Sequence, residues 1–213
     1  LLDFIDADEY CYLVMEIVNG GELFDQIIKL TYMSEPLARH VICQVAEGIR
    51  FMHNECGIVH RDIKPENLLF EHIDTERSES FQRKPYDEET KIDEGKFVPG
   101  VGGGEIGRVK IADFGLSKIV WEHSTKTPCG TVGYAAPEIV RNEQYSLSVD
   151  MWALGCVLYT LLCGFPPFYD ESIKDLSEKV SNGHYAFLSP WWDDISVGAK
   201  DLVAKLLCVD VDA

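Results

Sequence analysis

Residues 60–67 read His60-Arg61-Asp62-Ile63-Lys64-Pro65-Glu66-Asn67, and Asp113-Phe114-Gly115 follows downstream. This pair of motifs constrains the chain more than any other feature of it. Asp62 can accept a proton and Lys64 can offset the charge of a transferred phosphate. Asn67 and Asp113 can offer side-chain oxygen to Mg²⁺, a hard cation that prefers such ligands. Each fixed residue recurs by chance at about one position in twenty, so five in register beside a second motif are not accidental. One reaction using these side chains requires residues 62, 67 and 113 to converge in a single cleft.

The flanking sequence indicates which elements would bring them there. Residues 3–18 read as two strands, with Asp6-Ala7-Asp8-Glu9 as a polar turn and Tyr10 to Val18 rich in β-formers. Gly20-Gly21 ends the second strand. A long helix is predicted from Ser34 to about Glu55. Ser34 can cap it, Pro36 is tolerated in its first turn, and Leu37, Val41, Val45, Ile49 and Met52 share one face. Gly57 suits its C-terminal stop. The motif at 60–67 therefore follows as a loop after a rigid helix. Further helices fit 148–163, 172–181 and 197–208, with Ser196 as a cap for the last.

Composition excludes several classes. The net charge is -17, from 36 acidic and 19 basic residues, so nucleic acid is a poor partner. The acid excess lies in 1–59 and 143–213, while 109–142 is close to neutral. It serves solubility alone or draws in basic peptides. The apolar run Met151 to Phe168 is too short for a membrane span and ends in Gly164, Pro166 and Pro167, which reads as a buried helix. The seven cysteines are scattered without a C-x-x-C, and no signal peptide is visible, which leads to an expectation of reduced thiols in the cytoplasm or nucleus. His53, Cys56 and His60 have metal-like spacing but lack a fourth ligand.

The segment from about Glu71 to Arg108 is polar and ends in a glycine cluster. It reads as an insertion at 71–107 with no fixed structure. Its Gly102-Gly103-Gly104-Glu105-Ile106-Gly107-Arg108-Val109 matches a glycine-rich nucleotide loop in letters only. No Val-Ala-Ile-Lys strand follows it, and the next residues, Val109 to Asp113, read as a strand running into the metal motif, so a flexible linker is expected.

Further stretches extend the pattern. They are Leu13-Val14-Met15-Glu16-Ile17-Val18, Gly20-Gly21-Glu22-Leu23-Phe24-Asp25, Gly130-Thr131-Val132-Gly133-Tyr134, Ala136-Pro137-Glu138, Asp150-Met151-Trp152-Ala153-Leu154-Gly155 and Gly164-Phe165-Pro166-Pro167-Phe168. With the two motifs, they resemble the C-terminal lobe of a eukaryotic protein kinase of the calmodulin-dependent-kinase-like Ser/Thr group. Insertions at the place of 71–107 resemble those of its fungal stress-responsive members. The resemblance implies an α+β protein-kinase-like fold, mainly the helical C-terminal lobe, with 1–18 a remnant β-hairpin and hinge of the N-terminal lobe and 19–213 the C-lobe.

It also implies ATP and Mg²⁺ as cofactors and residue roles. Asp62, Lys64, Asn67 and Asp113 would be catalytic, with Asn67 and Asp113 on the metal. Glu16 and Val18 would bind adenine through their backbone, Met15 would guard the back of the pocket and Leu69 would form its floor. Glu22 would contact the ribose or, with Glu66, bind an arginine of a basic protein substrate, and Thr131 would position Asp62 and substrate. Asp150 would brace the catalytic loop. Arg61 would pair with a phosphate on Thr125 or Thr127, added by an upstream activating kinase. The Lys–Glu pair that completes such a site is missing from this sequence. The 213 residues by themselves are therefore expected to be inactive, as a piece of an active Ser/Thr kinase. The alternative is a catalytically dead binding module.

Overall fold

The computed structural model describes residues 1–79, 81–119 and 131–210. Its centre is helix α4 (Ser148–Cys163), in which every residue from Val149 to Cys163 except Met151 is buried. A helix that is apolar on all sides must be enclosed on all sides. Helix α2 (Glu35–Phe51) covers one flank with the stripe Leu37, Val41, Val45 and Ile49, and α6 (Val197–Leu206) covers another. Helices α1 (Leu23–Leu30), α3 (Pro137–Val140) and α5 (Ile173–Asn182) complete the helical body. Among the described residues no helix is long and apolar enough to cross a membrane.

Local sequence sets the helix ends. The hydroxyls of Ser34, Ser172 and Ser196 each accept from the backbone N–H three residues on, at the starts of α2, α5 and α6. Helix α2 passes through a single wider turn at Met52–Cys56 and stops at Gly57, which takes the left-handed conformation.

Three two-stranded antiparallel sheets carry the rest. Strands β1 (Asp3–Asp6) and β2 (Cys11–Val14) form a hairpin exposed along both strands. Strand β2 ends at Val14, so residues 15–18 are not the continuation of the strand that their composition predicts. Strand β3 (Ile58–Val59) pairs with β6 (Lys118–Ile119). Strand β4 (Leu68–His72) pairs with β5 (Ile106–Ile111), setting Leu68 opposite Ile111 and Leu69 opposite Lys110. The whole is the mainly helical α+β architecture expected.

The segment between β4 and β5 is more closely tied than its composition suggests. It has almost no regular secondary structure, as its composition predicts, but it has defined partners. Lys91 is buried, and its ammonium donates to the carbonyls of Leu30 and Tyr32 at the end of α1 while lying 3.4 Å from the centre of the Tyr32 ring. Asp87 accepts from the Tyr32 hydroxyl, and Glu94 accepts from Ser34 N. The glycine run is no flexible linker. Isolated bridges join Val98 to Gly102 and Gly103 to Ile106, and a Cβ on Gly104 would stand 2.9 Å from Leu30 and Leu37. Sequence composition missed this because a few polar anchors, not an apolar stripe, hold the segment.

Helix α1 ends on Thr31 with φ 67, so its last carbonyls rely on outside donors such as Lys91. Lys91→Ala is expected to destabilise the fold by about 2 kcal/mol in urea unfolding. It should also make Arg83 and Lys84 faster trypsin sites, read by mass spectrometry of the digest.

Candidate active site

The loop after β3 is fixed from beneath by Asp150, in the first turn of α4. Asp150 is fully buried. Its Oδ2 accepts from His60 N at 2.9 Å and its Oδ1 from Arg61 N at 2.8 Å. His53 Nε2 lies 2.8 Å from Oδ2, so the carboxylate faces two backbone donors and an imidazole. Arg61 has φ 73, a left-handed conformation that a side-chain-bearing residue adopts at a cost of about 1–3 kcal/mol. The two adjacent N–H bonds to one carboxylate hold it there.

That turn delivers Asp62, Lys64 and Asn67 to one place. Asn67 Nδ2 donates to the Asp62 carbonyl at 2.8 Å and to Asp62 Oδ2 at 3.0 Å. Lys64 Nζ lies 2.9 Å from Asp62 Oδ2 and donates to Thr131 Oγ1 at 3.0 Å. Thr131 Oγ1 in turn stands 3.5 Å from Asp62 Oδ1. Asp62 thus faces a cation, an amide and a hydroxyl, and its carboxylate is held at the surface end of a buried loop.

Asp113 arrives from the other strand. Ala112 N donates to the Asn67 carbonyl at 2.8 Å and His60 Nε2 lies 3.0 Å from the Ala112 carbonyl, so the residue before Asp113 is tied to both ends of the 60–67 loop. Asp113 has φ 58 and accepts from Gly115 N at 3.1 Å. The Asn67 side-chain amino group is committed to Asp62, which leaves the side-chain oxygen Oδ1 for a ligand. That oxygen and the exposed Asp113 carboxylate are hard donors on adjoining segments, a set that fits Mg²⁺. His60 and Phe114 meet edge to face at 5.1 Å, a packing role. No group of three or more His, Cys, Asp or Glu among the described residues suits a metal ion, and His53 serves Asp150 instead.

The remaining predicted residues fall around this centre. Glu22 precedes α1 and bridges to Leu69 on β4. Met15 and Glu16 are exposed beside it. Glu16 Oε2 accepts from Lys110 Nζ at 2.5 Å. This contact holds the Glu16 carboxyl below its ordinary value and the Lys110 ammonium above its own. Val18 is half-buried. Glu66 is half-buried, and its Oε2 has no hydrogen-bond partner. Burial, with the Glu66 charge added, raises the Tyr134 hydroxyl well above the usual phenol range. Arg61 donates to the Leu116 carbonyl and to the Tyr145 hydroxyl. Thr125 and Thr127 lie outside the described residues. A cavity of about 880 Å³ opens between α2, α4, α6 and residues 97–100 and touches neither Asp62 nor Asp113.

Sequence reasoning missed three participants. His53 was visible only as a decoy metal ligand, whereas it pairs with Asp150. Tyr145 carries no motif. Lys110 reads as an ordinary strand residue until β5 places it beside Glu16.

The protein kinase domain family matches residues 1–213. The chain is 65% identical over 213 residues to serine/threonine-protein kinase srk1 of Schizosaccharomyces pombe, covering 100% of this chain and 37% of that protein. It is 62% identical over 210 residues to calcium/calmodulin-dependent protein kinase type II of the same organism, covering 99% and 42%. It is 62% identical over 207 residues to serine/threonine-protein kinase RCK2 of Saccharomyces cerevisiae, covering 97% and 34%. The chain therefore spans well under half the length of these curated relatives.

Removing the Asp150 carboxylate would leave two backbone N–H groups and His53 facing it without an acceptor. Asp150→Ala is expected to cost about 3–5 kcal/mol in denaturant unfolding. An unchanged urea midpoint would show that the loop is held by something else.

Proposed function

The chain belongs to the protein kinase domain family, and from that premise we propose that the protein carrying it transfers the γ-phosphate of ATP to serine or threonine hydroxyls of proteins. The observation that carries the reading is the meeting of Asp62 with Lys64 and Asn67, and of the Asn67 strand with the strand leading into Asp113.

In this reading Asp62 orients the attacking hydroxyl and takes its proton. Lys64 neutralises charge growing on the transferred phosphoryl oxygens, and Thr131 keeps Lys64 and Asp62 in register. Asn67 and Asp113 would hold Mg²⁺, which when bound supplies charge stabilisation to the phosphates. The backbone of Glu16 and Val18 receives the adenine edge, with Met15 behind it and Leu69 below. Arg61 awaits a phosphate on Thr127 or Thr125, supplied by an upstream kinase, and its present bonds to Leu116 and Tyr145 hold it ready. A cytoplasmic or nuclear setting suits such a reaction.

The substrate class follows from two carboxylates. Glu66 has a sheltered oxygen without a donor, and Glu22 stands exposed at the start of α1. An arginine near the target residue would satisfy the first and approach the second, with two-pronged geometry available to either. The acidic surface draws in such basic peptides.

Three outcomes are expected. Asp62→Asn in the full-length protein should lower kcat by about 10²–10⁴ with the affinity for MgADP retained. Loss of that affinity in parallel would make Asp62 a binding residue only. Glu66→Gln should raise KM for an arginine-containing peptide by about tenfold or more and leave KM for ATP unchanged. A peptide array selecting acidic residues or proline beside the target would overturn the substrate assignment. The 213 residues alone should transfer no phosphate from labelled ATP, because they hold no phosphate-binding Lys–Glu pair. Turnover by this piece would refute that.

A further inference from the structure

The segment 15–18 is held on its downstream side by the sheet. Gly20 N donates to the Phe70 carbonyl at 2.8 Å, Phe70 N donates to the Gly21 carbonyl at 3.1 Å, and Glu22 bridges Leu69. The approach is close enough that a Cβ on Gly20 would stand 2.3 Å from the Phe70 carbonyl oxygen. Residues 15–18 themselves have no regular structure, and Met15 and Ile17 are 65% and 91% exposed. Glu16 ties them by its side chain to the hairpin. Its carboxylate meets Lys110 Nζ at 2.5 Å, and the same ammonium lies 3.4 Å from Glu71 Oε1.

The position of that ammonium matters. Lys110 sits directly opposite Leu69 in the β4–β5 register, and Glu71 lies two residues beyond Leu69 on β4. Lys110 therefore bridges the connecting segment to the strand that carries the proposed adenine floor. The backbone of Glu16 and Val18 would meet the adenine edge and Leu69 would lie below the ring, so one cation ties together two walls of the proposed site. The Lys110 side chain is 24% exposed and faces two carboxylates.

We propose that Lys110 is a positioning residue for the nucleotide: through Glu16 it holds the connecting segment over Leu69 and so sets the affinity for the adenine moiety. This rests on the nucleotide-binding reading given above. Lys110 touches neither phosphate nor metal in this scheme, so its loss should weaken nucleotide binding and spare the chemical step. A partly exposed ion pair is modest in strength and sensitive to salt.

The test uses the full-length protein, with MgADP titrated calorimetrically and steady-state kinetics at varied ATP. Lys110→Met should raise Kd for MgADP and KM for ATP by about two- to fivefold, with kcat and peptide KM within about twofold of wild type. Lys110→Arg, which keeps the charge facing Glu16 and Glu71, should restore affinity. At 0.5 M NaCl the gap between wild type and Lys110→Met should close, a response that loss of packing would not give. Nucleotide affinity unchanged in Lys110→Met would overturn the inference. So would a parallel fall in kcat and thermal stability that Lys110→Arg fails to reverse, since Lys110 would then be structural. A wild-type protein that binds no MgADP would overturn the functional reading itself, and the inference with it.

Discussion

A carboxylate at zero exposure, facing two consecutive backbone N–H groups and an imidazole, is the contact from which the rest of the site hangs. Asp150 belongs to α4, a helix buried on nearly all sides, and its oxygens accept from the residues that open the 60–67 loop. Arg61 would relax from its left-handed conformation without them. Asp62 follows it directly, so any rotation at residue 61 swings the Asp62 carboxylate away from Lys64 and Asn67. Rigidity is thus passed from an apolar helix to a polar loop through one ionised side chain. An apolar residue at 150 could pack as well but could accept nothing.

The second structural dependency is the β4–β5 hairpin. It joins Asn67, at the start of β4, to Ala112, at the end of β5, by one backbone bond, and it receives Gly20 and Gly21 along β4. The chemistry sits at this open end. The 71–107 segment leaves from the opposite end, where β4 and β5 separate near His72 and Ile106. Lengthening a loop costs only a slowly growing closure entropy. An insertion there perturbs neither the Asn67–Ala112 bond nor the strands between. The anchors at Lys91, Asp87 and Glu94 then fasten the added chain to α1 and α2, far from Asp62.

What could be read from the sequence divides along this line. The apolar stripe of α2, the serine caps, Gly57 and the uniformly apolar α4 are local and periodic, and each element appears close to where its pattern places it. The clustering of Asp62, Lys64 and Asn67 is also local, since its ends lie five positions apart. Pairings across long separations were less legible. His53 with Asp150 spans 97 positions and Lys110 with Glu16 spans 94, and neither pair shares a motif. The anchors of the insert were illegible for another reason. Composition measures apolar content, and a segment fastened by an ammonium, two carboxylates and close glycines has little.

The two charged braces differ in a way that matches what each must hold. Asp150 acts in a dry interior, where unpaired donors are costly and the geometry tolerates one arrangement. That suits the loop that carries Asp62, because proton transfer is lost over fractions of an ångström. Lys110 acts at the surface, where water and salt compete for it and the pair can open and close. That would suit a segment with the proposed task of admitting and releasing a nucleotide. A buried pair at Glu16 would hold the segment more rigidly and slow that exchange. A surface pair at Asp150 would let the loop wander. The placement of the two interactions, one at the bottom of the lobe and one at its rim, follows from the different tolerances of chemistry and of binding.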